Sequence, residues 1–266
     1  MNARPKKSFG QHFLHEKRYI DRIVSAIAPK DGDTLVEIGP GEGALTLPLL
    51  RVAGRLTAIE LDTDLIPALA ERAAPVGELK IIHADVLKVD FAALARELGT
   101  PRLRIAGNLP YYISSPILFH CVEHSAAIQD MHFMLQKEVV DRMAAEPGSK
   151  VYGRLSVMLQ LACRVVPLFD VPPGAFRPPP KVDSSVVRLV PLAPEERHDA
   201  APEAVHAVVK AAFAQRRKTL ANGLRQLLDA ETIRAAGIDP GARAETLSPE
   251  DFVRLAKALP SRMAED

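Results

Sequence analysis

Cysteine is nearly absent from this chain: 266 residues hold only Cys121 and Cys163. Their placement matches no metal-ligand spacing, and the eight histidines are scattered without a paired ligand motif, so no metal is expected. A buried, reduced pair of thiols is the expectation, and it suits the cytoplasm. Long apolar runs are missing too. None approaches the roughly 20 residues of a membrane span, and the opening Met1-Asn2-Ala3-Arg4 lacks the apolar core of a signal peptide. A soluble, cytoplasmic monomer with no membrane partner is therefore expected. A net charge of only +1 excludes no class of partner, because a local basic face binds phosphates even on a neutral protein. There is no internal repeat and no low-complexity tract.

What is present is a sizeable apolar complement of 47%, enough for a substantial core. The length exceeds the roughly 100–200 residues of one domain, which suggests one domain with a smaller addition. Short β-branched runs at Thr34–Ile38, Leu56–Glu60, Leu79–His83, Leu103–Ala106 and Met131–Leu135 read as strands. Helical patterns near Ala44–Leu50, Asp64–Ala73, Phe91–Leu98 and Ser114–Glu123 separate them. Strands alternating with helices imply βαβ units and a mostly parallel sheet covered on both faces. Beyond Lys137 come a helix, the loop Glu146–Ser149 and a second helix over Gly153–Ala162. Arg164–Val171 and Ser184–Val190 follow as extended stretches, with too little chain between them for a helical crossover, so an antiparallel pair is favoured.

The expected fold class is thus α/β, with residues 1–192 as a Rossmann-like domain carrying a basic N-terminal segment. Residues 193–202 read as a linker, with Glu195, Glu196 and Arg197 between two prolines. Residues 203–266 read as a small all-helical domain: Val205, Val208, Val209, Ala212 and Phe213 recur at helical spacing, as do Leu220, Leu224, Leu227 and Leu228. Ser248-Pro249 opens the last helix, with a capping side chain before a proline at the first helical position.

The segment Val36-Glu37-Ile38-Gly39-Pro40-Gly41-Glu42-Gly43 ends a strand and opens a helix. Glycines there let backbone approach a ligand closely and adopt positive φ. Glu60 closes the next strand, where a carboxylate can accept from two ribose hydroxyls, and Asp85 follows the third, where one can accept from an adenine amine. Gly39, Gly41 and Ala44 also satisfy the nicotinamide fingerprint. At this point NAD, S-adenosylmethionine and a tight turn with no ligand all stay open.

Asn108-Leu109-Pro110-Tyr111, after the fourth strand, selects the chemistry. An adenine amine is a poor nucleophile because its lone pair is delocalised into the ring. Accepting both of its hydrogens favours a pyramidal, more localised nitrogen. The Asn108 side-chain oxygen and the Leu109 carbonyl are the candidate acceptors, Pro110 stiffens the turn, and Tyr111 is placed to stack on the purine. Asn cannot act as a base, so positioning and in-line displacement at a sulfonium methyl are expected, with the proton passing afterwards to water. A second aromatic, Phe176, precedes Arg177-Pro178-Pro179-Pro180, whose stiff extended run is expected to hold it over the other face of the base.

With these blocks in place the chain resembles the small-subunit (16S) ribosomal RNA adenine dimethyltransferases, the kasugamycin-resistance family. The resemblance covers nearly the whole chain, from Phe9–Leu14 through the glycine loop, Asn108–Tyr111, Pro147–Ser156 and Phe176–Ser184 to Ala214–Leu220. It implies N6,N6-dimethylation of two adjacent adenosines in the hairpin loop near the 3′ end of 16S rRNA in the small ribosomal subunit or its precursor. Each transfer would convert S-adenosylmethionine to S-adenosylhomocysteine. It also implies cofactor contacts at His12, Leu14, Gly39, Glu60, Asp85 and Asn108, to which the glycine loop's own reading adds Gly41. Position 12 departs from the family's frequent Asn, a change that is harmless if the backbone makes the contact.

Two basic clusters are candidate RNA contacts. Lys6 and Lys7 sit in an N-terminal stretch with Arg4, Lys17, Arg18 and Arg22, and Arg216, Arg217 and Lys218 sit with Lys210 and Arg225. Such clusters supply salt-dependent phosphate affinity rather than sequence reading. Three rival readings remain: a large-subunit rRNA methyltransferase conferring macrolide resistance, an assembly factor whose main act is binding immature subunits, and, more remotely, a nicotinamide oxidoreductase.

Overall fold

The computed structural model describes residues 12–260. Nine strands occur in it: β1 Phe13–Leu14, β2 Leu35–Ile38, β3 Arg55–Glu60, β4 Glu78–His83, β5 Leu103–Asn108, β6 Ile128–Gln136, β7 Cys163–Val171, β8 Phe176–Arg177 and β9 Ser184–Pro191. Seven form one sheet in the order β4-β3-β2-β5-β6-β9-β7, and β1 pairs with β8 in a separate two-stranded sheet. The β2–β3, β3–β4, β2–β5 and β5–β6 pairs are parallel, and β9 runs antiparallel to β6. All four residues of β2 are buried, as expected of a parallel strand covered on both faces. From β2 the chain proceeds outward through β3 and β4, then returns to the other side of β2 with β5. That reversal opens a crevice at the carboxyl ends of β2 and β5, where ligands bind in such sheets.

At the opposite end of β5, Arg104 fixes the register. Its Nε and Nη2 donate to the two Asp130 carboxylate oxygens at 2.9 Å each, from β5 to the paired position on β6. Nη1 donates to Asp33 at 2.6 Å and Nη2 to the Ile27 carbonyl at 2.7 Å. This fork also ties down the helix Lys17–Ile27, whose Ile23 and Ile27 are buried.

The chain divides into two compact units, 1–140 with 166–191 and 141–165 with 192–266. The second unit therefore takes in a segment that local patterning had assigned to the first. The reason lies in packing: Tyr152 and Val157 are buried in one cluster with Val205, Val208, Leu220, Leu247 and Phe252, and the Tyr152 hydroxyl donates to the Leu247 carbonyl at 2.8 Å. The stretch expected to be a linker is also structured. Pro194–Glu196 is a 3₁₀ turn, Ala200 is buried in the same cluster, and Asp199 pairs with Lys257. A second departure concerns Leu220–Leu228. Only Leu220–Gly223 is helical; Asn222 and Gly223 are weak helix formers, and the chain continues as turns that still bury Leu224 and Leu228. The final helix, Pro249–Lys257, starts as expected, with the Ser248 hydroxyl accepting from the Asp251 N–H at 3.2 Å. Among the described residues no helix is long and apolar enough to cross a membrane.

Candidate active site

The crevice between β2 and β5 is lined by His12, Leu14, Gly39, Gly41, Glu60, Asp85, Asn108, Leu109 and Tyr111. Residues spread over a hundred positions of sequence thus meet in one cleft of the first unit. Gly39, Gly41 and Gly43 all have positive φ, at 65°, 56° and 84°, a region L side chains rarely adopt. At Gly41 a side chain would also lack room, because an added Cβ would lie 3.2 Å from the Phe13 ring. Glu60, at the end of β3, is 7% exposed. It accepts from the Gly41 N–H at 3.2 Å with one oxygen and from the Asp62 N–H at 2.8 Å with the other. A carboxylate has about four acceptor positions, so two remain for a diol. Asp85 accepts from the Leu87 N–H at 3.0 Å, which caps a short 3₁₀ turn and fixes the carboxylate at the cleft.

Asn108 ends β5, and its Nδ2 donates to the His12 carbonyl at 3.1 Å. The Leu109 N–H donates to the Met134 carbonyl at 3.1 Å, which anchors the turn to β6. The Tyr111 hydroxyl and the Ser184 hydroxyl are 2.6 Å apart, and burial holds the Tyr111 phenol above its ordinary pKa, with the Ser184 contact opposing. The His12 ring stacks on Tyr111 with centroids 5.6 Å apart, and its Nδ1 lies 2.8 Å from the Pro178 carbonyl. A carbonyl only accepts, so Nδ1 carries the hydrogen. His12 therefore meets Asn108 through its backbone and Tyr111 through its ring.

Phe176 is not among the residues that line the cleft. It is 2% exposed and packs in the core with Leu14, Val171, Ala175 and Val186. In the β1–β8 pair Leu14 faces Phe176 and Phe13 faces Arg177; directly paired residues share a face of the sheet, so Phe176 lies on the same face as Leu14, itself a cleft residue. The Phe176 ring is thus packed against a cleft residue and is not exposed at the cleft surface. The basic clusters fare unevenly. Lys6 and Lys7 lie outside the described residues. Lys17 pairs with Asp21, and the Arg22 guanidinium sits 3.9 Å from the Phe169 ring centroid. In the second unit Arg216 Nη2 donates to the Lys150 and Tyr152 carbonyls at 3.0 and 3.1 Å and reaches Glu245 at 3.4 Å. Arg217 and Lys218 are exposed.

Sequence reasoning passed over Glu37 and Tyr112, which also line the cleft. Glu37 is 1% exposed. Burial pushes its carboxyl up to about 7, with Thr46 opposing and the Glu60 charge adding to the rise. A carboxylate inside a β-branched strand is an anomaly visible in sequence, although its burial is not. Among the described residues no group of three or more His, Cys, Asp or Glu is arranged to hold a metal ion.

A glycine loop and an Asn-Leu-Pro-Tyr turn facing each other across the reversal point of a parallel sheet define a class: the Rossmann-like S-adenosylmethionine-dependent methyltransferases. Within that class, the model of the ribosomal RNA adenine dimethylase family matches residues 2–260, and the chain belongs to that family. It is 62% identical over 260 residues, 98% of either chain, to a ribosomal RNA small subunit methyltransferase A of Xanthomonas oryzae pv. oryzae. Among solved structures, a dimethyladenosine transferase from Plasmodium falciparum superposes with a TM-score of 0.78 at 26% identity, covering 92% of this chain and 96% of that one. The 23S rRNA methyltransferase ErmE gives 0.72 at 27% identity, covering 93% and 99%.

Proposed function

We propose that the chain methylates N6 of two adjacent adenosines in the 3′-terminal hairpin loop of 16S rRNA within the small ribosomal subunit or its precursor, giving N6,N6-dimethyladenosines during ribosome biogenesis. The observation that carries the reading is the Asn108 amide, held at the cleft by its bond to the His12 carbonyl. Its nitrogen is committed, so its oxygen is the end left to accept from an exocyclic amine, beside the Leu109 carbonyl. Both are acceptors, which suits a two-hydrogen donor and disfavours an unmodified keto oxygen at the same place. Tyr111, half-buried and tethered to Ser184, supplies a preorganised stacking face.

The cleft fits S-adenosylmethionine: Gly39 and Gly41, both at positive φ, let the loop backbone come close to a ligand, and Glu60 retains acceptor positions for a ribose diol. His12, Leu14, Gly39, Gly41, Glu60, Asp85 and Asn108 are the residues that would hold it. When bound, it supplies a sulfonium methyl for in-line transfer, with S-adenosylhomocysteine as product. The chain's own contribution is to orient the amine through Asn108 and Leu109, hold the ring through Tyr111, and leave the displaced proton to water. Arg217 and Lys218, and Lys6 and Lys7 from the N-terminal cluster, would contact phosphates. The small-subunit target is supported by 62% identity to a protein named for that subunit, against 27% to one named for 23S rRNA.

Unmethylated small subunits incubated with labelled S-adenosylmethionine test this. Primer extension is expected to stop at two adjacent adenosines near the 3′ end. Label on large-subunit RNA or on protein would overturn the reading.

A further inference from the structure

The turn after β5 carries two tyrosines, and the function proposed above uses only one. Tyr111–Ile113 is a 3₁₀ turn, in which successive side chains point about a third of a revolution apart. Tyr111 is accordingly turned inward, with its hydroxyl on Ser184 and one face against His12. Tyr112 is turned outward. It is 59% exposed, it lines the same cleft, and among the described residues it is the only exposed Phe or Tyr. Among the described residues no hydrogen bond or ring contact gives it a structural task.

We infer that Tyr112 is the stacking platform for the nucleotide adjoining the target adenine, so that one adenosine of the pair rests on Tyr112 while the other is held at Asn108 and Tyr111. This deepens the proposed function and rests on it. The chemistry is matched: a flanking base needs to be held but not activated, and stacking on an aromatic face holds any base without reading its edge. Exposure is matched as well, because a platform for a base outside the reacting pocket has to stand at its rim. Two consecutive aromatics on one turn, one recessed and one on the surface, suit two consecutive bases of which only one is reacting. After the first adenosine is finished, exchange of the two bases between platform and pocket would require only local rearrangement of the RNA.

The test compares Tyr112→Ala, Tyr112→Phe and Tyr112→Trp with the unaltered enzyme on unmethylated small subunits. Loss of one stacked base corresponds to roughly a 10- to 100-fold fall in kcat/KM for subunits, expected for Tyr112→Ala. KM for S-adenosylmethionine and Tm should stay unchanged. Tyr112→Phe and Tyr112→Trp should restore the rate, since both keep an aromatic face. Tyr112→Ala should also shift the ratio of methyl groups on the two adenosines. An alanine variant equal to the unaltered enzyme in rate and product ratio would overturn the inference. So would a phenylalanine variant as slow as alanine, which would assign the role to the hydroxyl. Failure of the underlying reading is distinguishable, because then the unaltered enzyme would place no methyl groups on small-subunit RNA.

Discussion

The Asn108 side chain donates to the backbone carbonyl of His12 at 3.1 Å, across 96 positions of sequence. A carbonyl oxygen can only accept, so this bond decides which end of the amide is free. It also makes the identity of residue 12 matter less for Asn108 than for Tyr111, because the first contact is through backbone and the second through the ring. Removing the amide should therefore abolish orientation of the target amine without disturbing the surface that meets RNA. Asn108→Ala is expected to lose roughly 10²- to 10³-fold in kcat, the scale of one preorganised hydrogen-bonding group at a reacting centre. Its co-sedimentation with small subunits should stay within a few-fold of the unaltered protein. Loss of binding in parallel with activity would refute this division of labour.

The sheet was legible because its strands are short, mostly apolar and β-branched runs separated by helical patterns, as in Leu35–Ile38 and Leu103–Ala106, each interrupted by a single charged residue, Glu37 or Arg104. The cleft residues were legible because strand-end loops in such a sheet converge whatever their distance in sequence. Phe176 was not, since its neighbours on β1 lie over 160 positions away and nothing local says which face of a two-residue strand turns inward. The same holds for Tyr152, whose burial depends on Leu247 and Phe213 rather than on its own surroundings. Arg216 is the exposed cation its sequence suggests, but its bonds to the Lys150 and Tyr152 carbonyls were not legible, because a loop remote in sequence contributes them.

Glu37 gives the enzyme a predictable pH response. Its carboxyl is raised from 4.5 to about 7 by burial, so between those values the folded state binds a proton that the unfolded state has released. Stability from this group is fully present below pH 4.5 and is lost as pH rises through 7. Relative to Glu37→Gln, the unaltered protein should be similarly stable at pH 4.5 and less stable at pH 8, by of order 3 kcal/mol. His132 is depressed to about 4, chiefly by burial, and works in the opposite sense, but it is common to both proteins and cancels. Urea unfolding at the two pH values measures the difference. A pH-independent gap would mean that Glu37 is ionised in the folded state.

Arg104 is expected to be the most damaging single charge to remove from the first unit. Asp130 is 3% exposed and receives both prongs of the guanidinium. Arg104→Ala leaves that carboxylate buried with its main partner gone, a situation that costs about 3–5 kcal/mol. Arg104→Lys should recover only part, because a single ammonium cannot reproduce the fork that also spans Asp33 and Ile27. Chemical denaturation distinguishes the outcomes, and a lysine variant as stable as arginine would show that charge alone suffices.

The Arg216–Lys218 cluster should separate into two functions. Arg216 bonds two carbonyls of the 150–152 loop and reaches Glu245, so Arg216→Ala should lower Tm. Arg217 and Lys218 stand exposed. Reversing both, Arg217→Glu with Lys218→Glu, should leave Tm within a degree or two while weakening subunit binding. If each contacts one phosphate of single-stranded or helical RNA, the slope of log affinity against log salt should flatten by about 0.7–0.9 per contact for the neutralised charges. A Tm loss from the double reversal equal to that of Arg216→Ala would assign all three residues to structure. An unchanged salt slope would remove Arg217 and Lys218 from the RNA footprint, leaving phosphate contact to other surfaces of the chain.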